Sequence, residues 1–199
     1  MIYKGNSTKL TNINLVNQNT NEYFVNILIK SYSPSEREIE WYNKHHMSDN
    51  IPNVQYEYIK VKDANNFDNI RAAFINTIKE YDHSREINQF KYNDHIYWFD
   101  KATRVGIANA IAVVEGQGET NYTLWLADGV GVTLPIEDIK AFLDELEVYA
   151  MNTFNTTNTH IANAKAFADY DALKSYDFRT NYPEIVELVV PNANDGDTN

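Results

Sequence analysis

Tyr122-Thr123-Leu124-Trp125-Leu126-Ala127-Asp128-Gly129-Val130-Gly131-Val132-Thr133-Leu134-Pro135-Ile136-Glu137-Asp138-Ile139 carries the strongest fold signals in the chain. Two runs rich in β-branched and aromatic residues, Tyr122–Leu126 and Val130–Leu134, flank Ala127-Asp128-Gly129. Asp-Gly tolerates the positive φ that tight hairpin turns need, so the stretch predicts a β-hairpin. Pro135 is pre-organised for the first position of a helix, where Glu137 and Asp138 complement the helix dipole. Ile136, Ile139, Leu143, Leu146 and Ala150 then form one apolar stripe, which Phe154 and Ile161 continue less regularly. Asn152–Thr159 has poor helix propensity, so the helix either breaks there or is held by packing.

Upstream of the hairpin, Asp100 is placed to cap a helix whose inner face uses Val105, Ala108, Ile111 and Val114 and which ends at Gly116-Gln117-Gly118. Phe90-Lys91-Tyr92 and Ile96-Tyr97-Trp98-Phe99 read as short extended pieces around a turn at Asn93-Asp94, and Tyr81–Glu86 reads as a linker. In the N-terminal half, Tyr23–Tyr32 is a strand and Val54–Val61 a second, partly alternating one. Between them Ser33-Pro34-Ser35-Glu36 has capping-box order and opens a helix over 34–47. Phe67, Ile70, Phe74, Ile75, Ile78 and Tyr81 recur at steps of three and four and mark an amphipathic helix. Residues 1–21 are polar, with Leu10, Ile13, Leu15 and Val16 as anchors, and read as an arm or one short edge strand.

The expected fold class is therefore α+β. A polar arm, 1–21, precedes a small β-α-β-α domain, 22–84. A helix, β-hairpin, long-helix domain follows over 88–190, and 191–199 is a disordered acidic tail.

Composition narrows the function. The 199 residues contain no cysteine, which leaves no disulfide framework, thiolate metal site or thiol nucleophile. Gly5 is followed by no glycine until Gly106, so the N-terminal domain has no Gly-rich phosphate loop and no nucleophile elbow. Neither a signal peptide nor a transmembrane helix is expected. Residues 1–99 carry 11 Lys/Arg against 12 Asp/Glu, and residues 100–199 carry 6 against 16, so the net charge of −11 divides as −1 and −10. An acidic surface repels phosphate backbones and anionic lipid, which argues against nucleic acid and membrane as partners. The 26 asparagines are read as the mark of an AT-rich genome, because apolar periodicity runs through the same segments.

Trp98-Phe99-Asp100, a helix, Gly116, the strand with Trp125, the Ala127-Asp128-Gly129 turn and Leu134 leading into an acidic helix come in an order that resembles a domain of unknown function. That domain is found at the C-terminal end of phage tail-fibre and tail-associated proteins. The resemblance spans about 88–185, with Pro135 where the family more often shows a helix-capping Thr. It implies no catalytic residues. It implies a bacteriophage virion structural protein of the tail, fibre-attachment or connector region, made in the host bacterial cytoplasm and residing in the virion. Such a protein works through interfaces with other virion proteins and is expected to be a homo-oligomer. The alternatives are a tail or fibre assembly chaperone and, more weakly, a small metal-dependent or hydrolytic enzyme.

No cofactor, metal site or catalytic residue is expected. His45 and His46 lie near Asp49 and Glu40, but neighbours on a regular helix diverge by about 100° and cannot share one ion; a helix C-terminus favours histidine anyway. Glu36, Glu38 and Glu40, like Asp144, Glu145 and Glu147, read as solvated helix faces. His83, His95 and His160 are scattered. Fourteen tyrosines and three tryptophans draw more attention, because amphipathic aromatics are enriched in interface cores. Tyr56, Tyr58, Tyr92, Tyr97, Trp98 and Trp125 are the interface candidates, set against ordinary core and half-buried strand positions.

Overall fold

Glu22–Ser31 (β3) and Val54–Lys62 (β4) are the longest strands of the structure, a computed structural model that describes residues 1–190. The expected tail, 191–199, lies outside the described residues. Antiparallel pairing sets Val25 opposite Ile59 and Tyr23 opposite Val61 on one face, with Phe24 opposite Lys60 and Asn26 opposite Tyr58 on the other. The first 21 residues supply both edges of this sheet rather than an arm or a single strand. Tyr3–Gly5 (β1) pairs with β4, and Ile13–Asn17 (β2) pairs with β3, giving the order β1-β4-β3-β2. The mixed architecture is α+β.

The link from β3 to β4 contains a helix, α1 (Glu36–Lys44), whose capping box is Ser35 with Glu38, two residues later than Ser33 with Glu36. Both registers satisfy the Ser-x-x-Glu spacing. The later one wins because Glu38 also accepts from Lys4 Nζ and Tyr32 Oη, each at 2.6 Å, partners that Glu36 does not have. α1 ends at Lys44, short of the expected 47, and His46 has a left-handed φ of 55°. The amphipathic helix α2 (Phe67–Asp82) follows β4 and buries Ile70, Phe74 and Ile78.

Contacts divide the chain into two compact units. The first is Met1–Glu80 with Thr157–Thr180; the second is Tyr81–Thr156 with the described residues from Asn181 on. The expected limits at 22–84 and 88–190 follow the chain, whereas each unit is discontinuous. Long-range bonds hold 157–180 in the first unit. β3 bulges after Ile27, where Leu28 is buried with a φ of 53°, and the freed Ile29 N–H donates to Lys174 O at 2.9 Å. A left-handed leucine costs about 1–2 kcal/mol, which burial of its side chain offsets. Tyr170, in the short helix α5 (Tyr170–Leu173) of the returning segment, donates to Asn26 O at 2.6 Å. Lys30 pairs with Asp177, and Arg179 with Glu57.

The second unit is built on the hairpin. Asn121–Trp125 (β7) and Gly131–Pro135 (β8) pair antiparallel through the Asp128-Gly129 turn, where Gly129 has a φ of 81°. Leu124, Val132 and Leu134 face the core, with Ile111, Ile139 and Phe142. Phe90–Tyr92 (β5) and His95–Tyr97 (β6) form a second small hairpin, to which Val186–Glu187 (β9) adds a parallel strand. Residues Tyr81–Glu86 are not a free linker: the Asn88 side-chain amide donates to both Asp82 O, at 2.6 Å, and Ser84 O, at 2.8 Å.

The inner faces of two helices differ from expectation. In α3 (Lys101–Gly116), Ile107, Ile111 and Val114 turn inward, while Val105 and Ala108 are exposed. Steps of three from 105 to 114 accumulate about 180° of drift at 100° per residue, so Val105 and Val114 lie on opposite sides. The last major helix, α4, runs unbroken from Ile136 to Ala166, with Pro135 as the final residue of β8. Its buried stripe continues after Leu146 through Tyr149, Thr153, Thr157, His160 and Ala164, while Phe154 is exposed. Packing of those polar side chains overrides the weak propensity of 152–159.

Candidate interaction sites

Tyr56 and Tyr58 project from one face of β4 and meet Tyr3 of β1 and Phe24 of β3. Ring centroids lie 5.9 Å apart for Tyr3–Tyr56, 5.0 Å for Tyr3–Tyr58 and 4.2 Å for Phe24–Tyr58. The hydroxyl of Tyr3 donates to that of Tyr58 at 3.2 Å. Gly5 makes the close approach possible, since a Cβ there would sit 3.1 Å from Tyr56 Cε1. The four rings are half-buried, so they are neither a free patch nor a closed core.

Tyr92, Tyr97, Trp98 and Trp125 belong to the second unit and do different things. Tyr92 and Tyr97 are half-buried beside Phe90, which is fully buried. The Tyr97 hydroxyl donates to Asp128 Oδ2 at 2.9 Å, tying β6 to the hairpin turn. That bond holds the phenol above and the Asp128 carboxyl below their usual values, because it favours the ionised acid and the neutral phenol. Trp98 lines a cavity of about 270 Å³ with Arg85, Gln89, Tyr97, Asp100 and Thr103, and the Arg85 guanidinium lies 5.4 Å from its ring centre.

The polar groups of this cavity are engaged in structure. Asp100 Oδ1 accepts from Thr103 N at 2.7 Å as the N-cap of α3, and this bond lowers its carboxyl below the ordinary range. Asp100 and Asp128 therefore both stay ionised at neutral pH, where neither can serve as a general acid.

Trp125 is the most exposed candidate, 69 % open on the outer face of the hairpin. It stands opposite Gly131, where a Cβ would lie 3.1 Å from Trp125 Cζ3 and 3.2 Å from Thr123 Cγ2. The indole therefore spreads over bare backbone. Beside it, the Thr123 and Thr133 hydroxyls are linked at 2.8 Å, which leaves a flat, mostly uncharged platform.

Two of the histidines, His45 and His160, hold contacts within the fold. His45 stacks on Trp41 at 4.3 Å, and its Nδ1 lies 2.7 Å from Trp41 O, so that nitrogen carries the proton. His160 is buried, with Nε2 2.8 Å from Thr180 O and Nδ1 2.6 Å from the Tyr176 hydroxyl. A carbonyl only accepts, so Nε2 is the donor to Thr180, while Nδ1 shares the Tyr176 hydroxyl with Asn163, whose amide donates to it at 2.8 Å. Among the described residues no three His, Asp or Glu side chains converge as a metal site. No helix of the described residues is long and apolar enough to cross a membrane.

The acidic helix faces also divide. Glu38 is half-buried, and the Lys4 ammonium, then the Tyr32 hydroxyl, then the Ser35 N–H pull its carboxyl down to about 2. Glu147 accepts from Arg104 Nε at 2.7 Å, whereas Asp144 and Glu145 remain exposed. Compared with protein-family models, curated proteins and solved structures, the chain gives no match.

Proposed function

We propose that this chain is a bacteriophage virion structural protein of the tail, fibre-attachment or connector region, acting through protein–protein interfaces as a homo-oligomer. The observation that carries the interface reading is Trp125. A large aromatic left 69 % exposed on a flat hairpin face is costly in water, and it is the kind of anchor that interface cores use. The virion context rests on the resemblance of residues 88–185 to tail-protein domains, in an order of helix, hairpin and long acidic helix.

Mass spectrometry of purified particles of the phage that encodes the chain tests this. The protein is expected in the finished particle, and sedimentation of the purified wild type is expected to give an oligomer that Trp125→Ala weakens. A monomer that is absent from particles overturns the proposal. Co-purification with an immature fibre or capsid component, but not with finished particles, replaces it with an assembly chaperone.

A further inference from the structure

The second unit carries an acidic groove remote in sequence from the aromatic candidates. Asp144, Glu145, Val148, Tyr149 and Asn152 of α4 form one wall, and Pro183, Glu184, Val186 and Glu187 the other, around about 460 Å³. Its floor is apolar. Tyr149 is buried with its hydroxyl committed to Ile87 O at 2.6 Å, which leaves the ring side toward the groove. Val148 is 54 % exposed, and Met151, three residues on, is 56 % exposed.

The carboxylates are largely unmatched. Among the described residues, Asp144, Glu145 and Glu184 have no ion pair, and Glu187 meets only Lys91, at 3.5 Å, which Asp94 shares at 3.0 Å. We propose that this groove docks a basic amphipathic segment of a partner protein, its apolar side chains on Val148 and Val186 and its Lys or Arg side chains on Asp144, Glu145 and Glu184.

Charge complementarity selects that occupant. The groove carboxylates repel nucleic acid and anionic lipid, while together with the apolar side chains exposed between them they match a segment whose cations flank its own apolar residues. The chain's own residues 191–199 contain Asp195 and Asp197 and no Lys or Arg, and a second copy brings a net charge of −11. Both are electrostatically mismatched.

The proposal rests on the interface reading above, but the two fail separately. A fluorescent peptide with Leu at helical spacing flanked by Lys is titrated into the full-length protein at about 30 and about 300 mM salt, concentrations that bracket strong and weak screening. Binding is expected at low salt. Asp144→Asn/Glu145→Gln/Glu184→Gln, exposed changes that leave the fold intact by circular dichroism, should weaken it about tenfold there and less at high salt. Val148→Ser should weaken it about threefold at both. Amide shifts of wild-type protein should move at 144–152 and 183–187, a readout independent of any variant.

Four results would each overturn the proposal: no peptide binding, unchanged affinity in the triple variant, equal binding of a Leu-free Lys peptide, or a wild-type dimer that the triple variant dissociates. The last would make the groove a self-interface. Absence of the protein from virions, with peptide binding intact, removes only the virion reading.

Discussion

Replacing Tyr170 by Phe deletes one oxygen atom and tests why residues 157–180 fold with the N-terminal sheet. The Tyr170 hydroxyl donates to Asn26 O at 2.6 Å, and burial pushes the phenol well above its usual range. Asn26 is itself buried in β3, and it anchors the start of the chain: its N–H donates to Asn12 O at 2.9 Å and its side-chain amide to Thr11 O at 3.0 Å. A neutral hydrogen bond contributes about 1 kcal/mol net, and a buried carbonyl left without its partner adds to the loss, so Tyr170→Phe should cost about 1–2 kcal/mol. At this chain length each kcal/mol shifts Tm by about 2–4 °C. Tyr122→Phe is the control: Tyr122 is half-buried and makes no side-chain hydrogen bond among the described residues, so it should change stability by less than about 0.5 kcal/mol. Urea unfolding followed by circular dichroism measures both. Hydrogen exchange should locate the loosening in β3 and residues 11–17, with the hairpin of the second unit unaffected. Equal stabilities for the two variants, or loosening confined to the second unit, would refute the account of how the returning segment is held.

Glu38 titrates at about 2 in the folded chain against an ordinary 4.5, so the native state binds fewer protons than the unfolded one in that interval. Its stabilising contribution is complete above about pH 4.5 and fades toward pH 2; Glu38→Gln should flatten that part of the stability–pH curve measured by urea titration. Ile139, wholly buried in the second unit, should cost about 2–5 kcal/mol when cut to Ala, read as a lower unfolding midpoint. Gly129→Ala, at a φ of 81° with open space around it, should cost about 1 kcal/mol through backbone strain alone. Nitrogen-15 spectra at neutral pH should show His160 as the Nε2–H tautomer; an Nδ1–H tautomer would contradict the Tyr176–His160–Thr180 chain.

The candidate sites were only partly legible before the fold was known. Trp125 could be singled out by type and by its place in an alternating strand, because alternation assigns it to the face opposite Leu124. The separation of Tyr56 and Tyr58 from Tyr97 and Trp98 could not, since side-chain type says nothing about which compact unit a residue joins. The acidic groove was hidden as well. Its α4 wall reads as an ordinary charged helix face, and its other wall comes from Pro183–Glu187, brought there by the parallel pairing of β9 with β5.

By itself the sequence determined the local elements: the Asp128-Gly129 turn, the caps at Asp100 and in the Ser33–Glu38 stretch, the α2 stripe and the long strands. Each depends on backbone preference or on periodicity within a few residues, which neighbours in the chain are enough to express. Tertiary structure alone decided the rest. It chose Ser35 over Ser33 as the cap because Lys4 and Tyr32 reach Glu38. It carried α4 through Asn152–Thr159 because Thr153, Thr157 and His160 face inward. It also returned Thr157–Thr180 to the first sheet through Asn26, Ile29, Lys30 and Glu57. Those choices turn on partners from six residues away, as for Tyr32 and Glu38, to more than a hundred, as for Tyr170 and Asn26, whose contributions exceed the tenths of a kcal/mol by which local propensities differ.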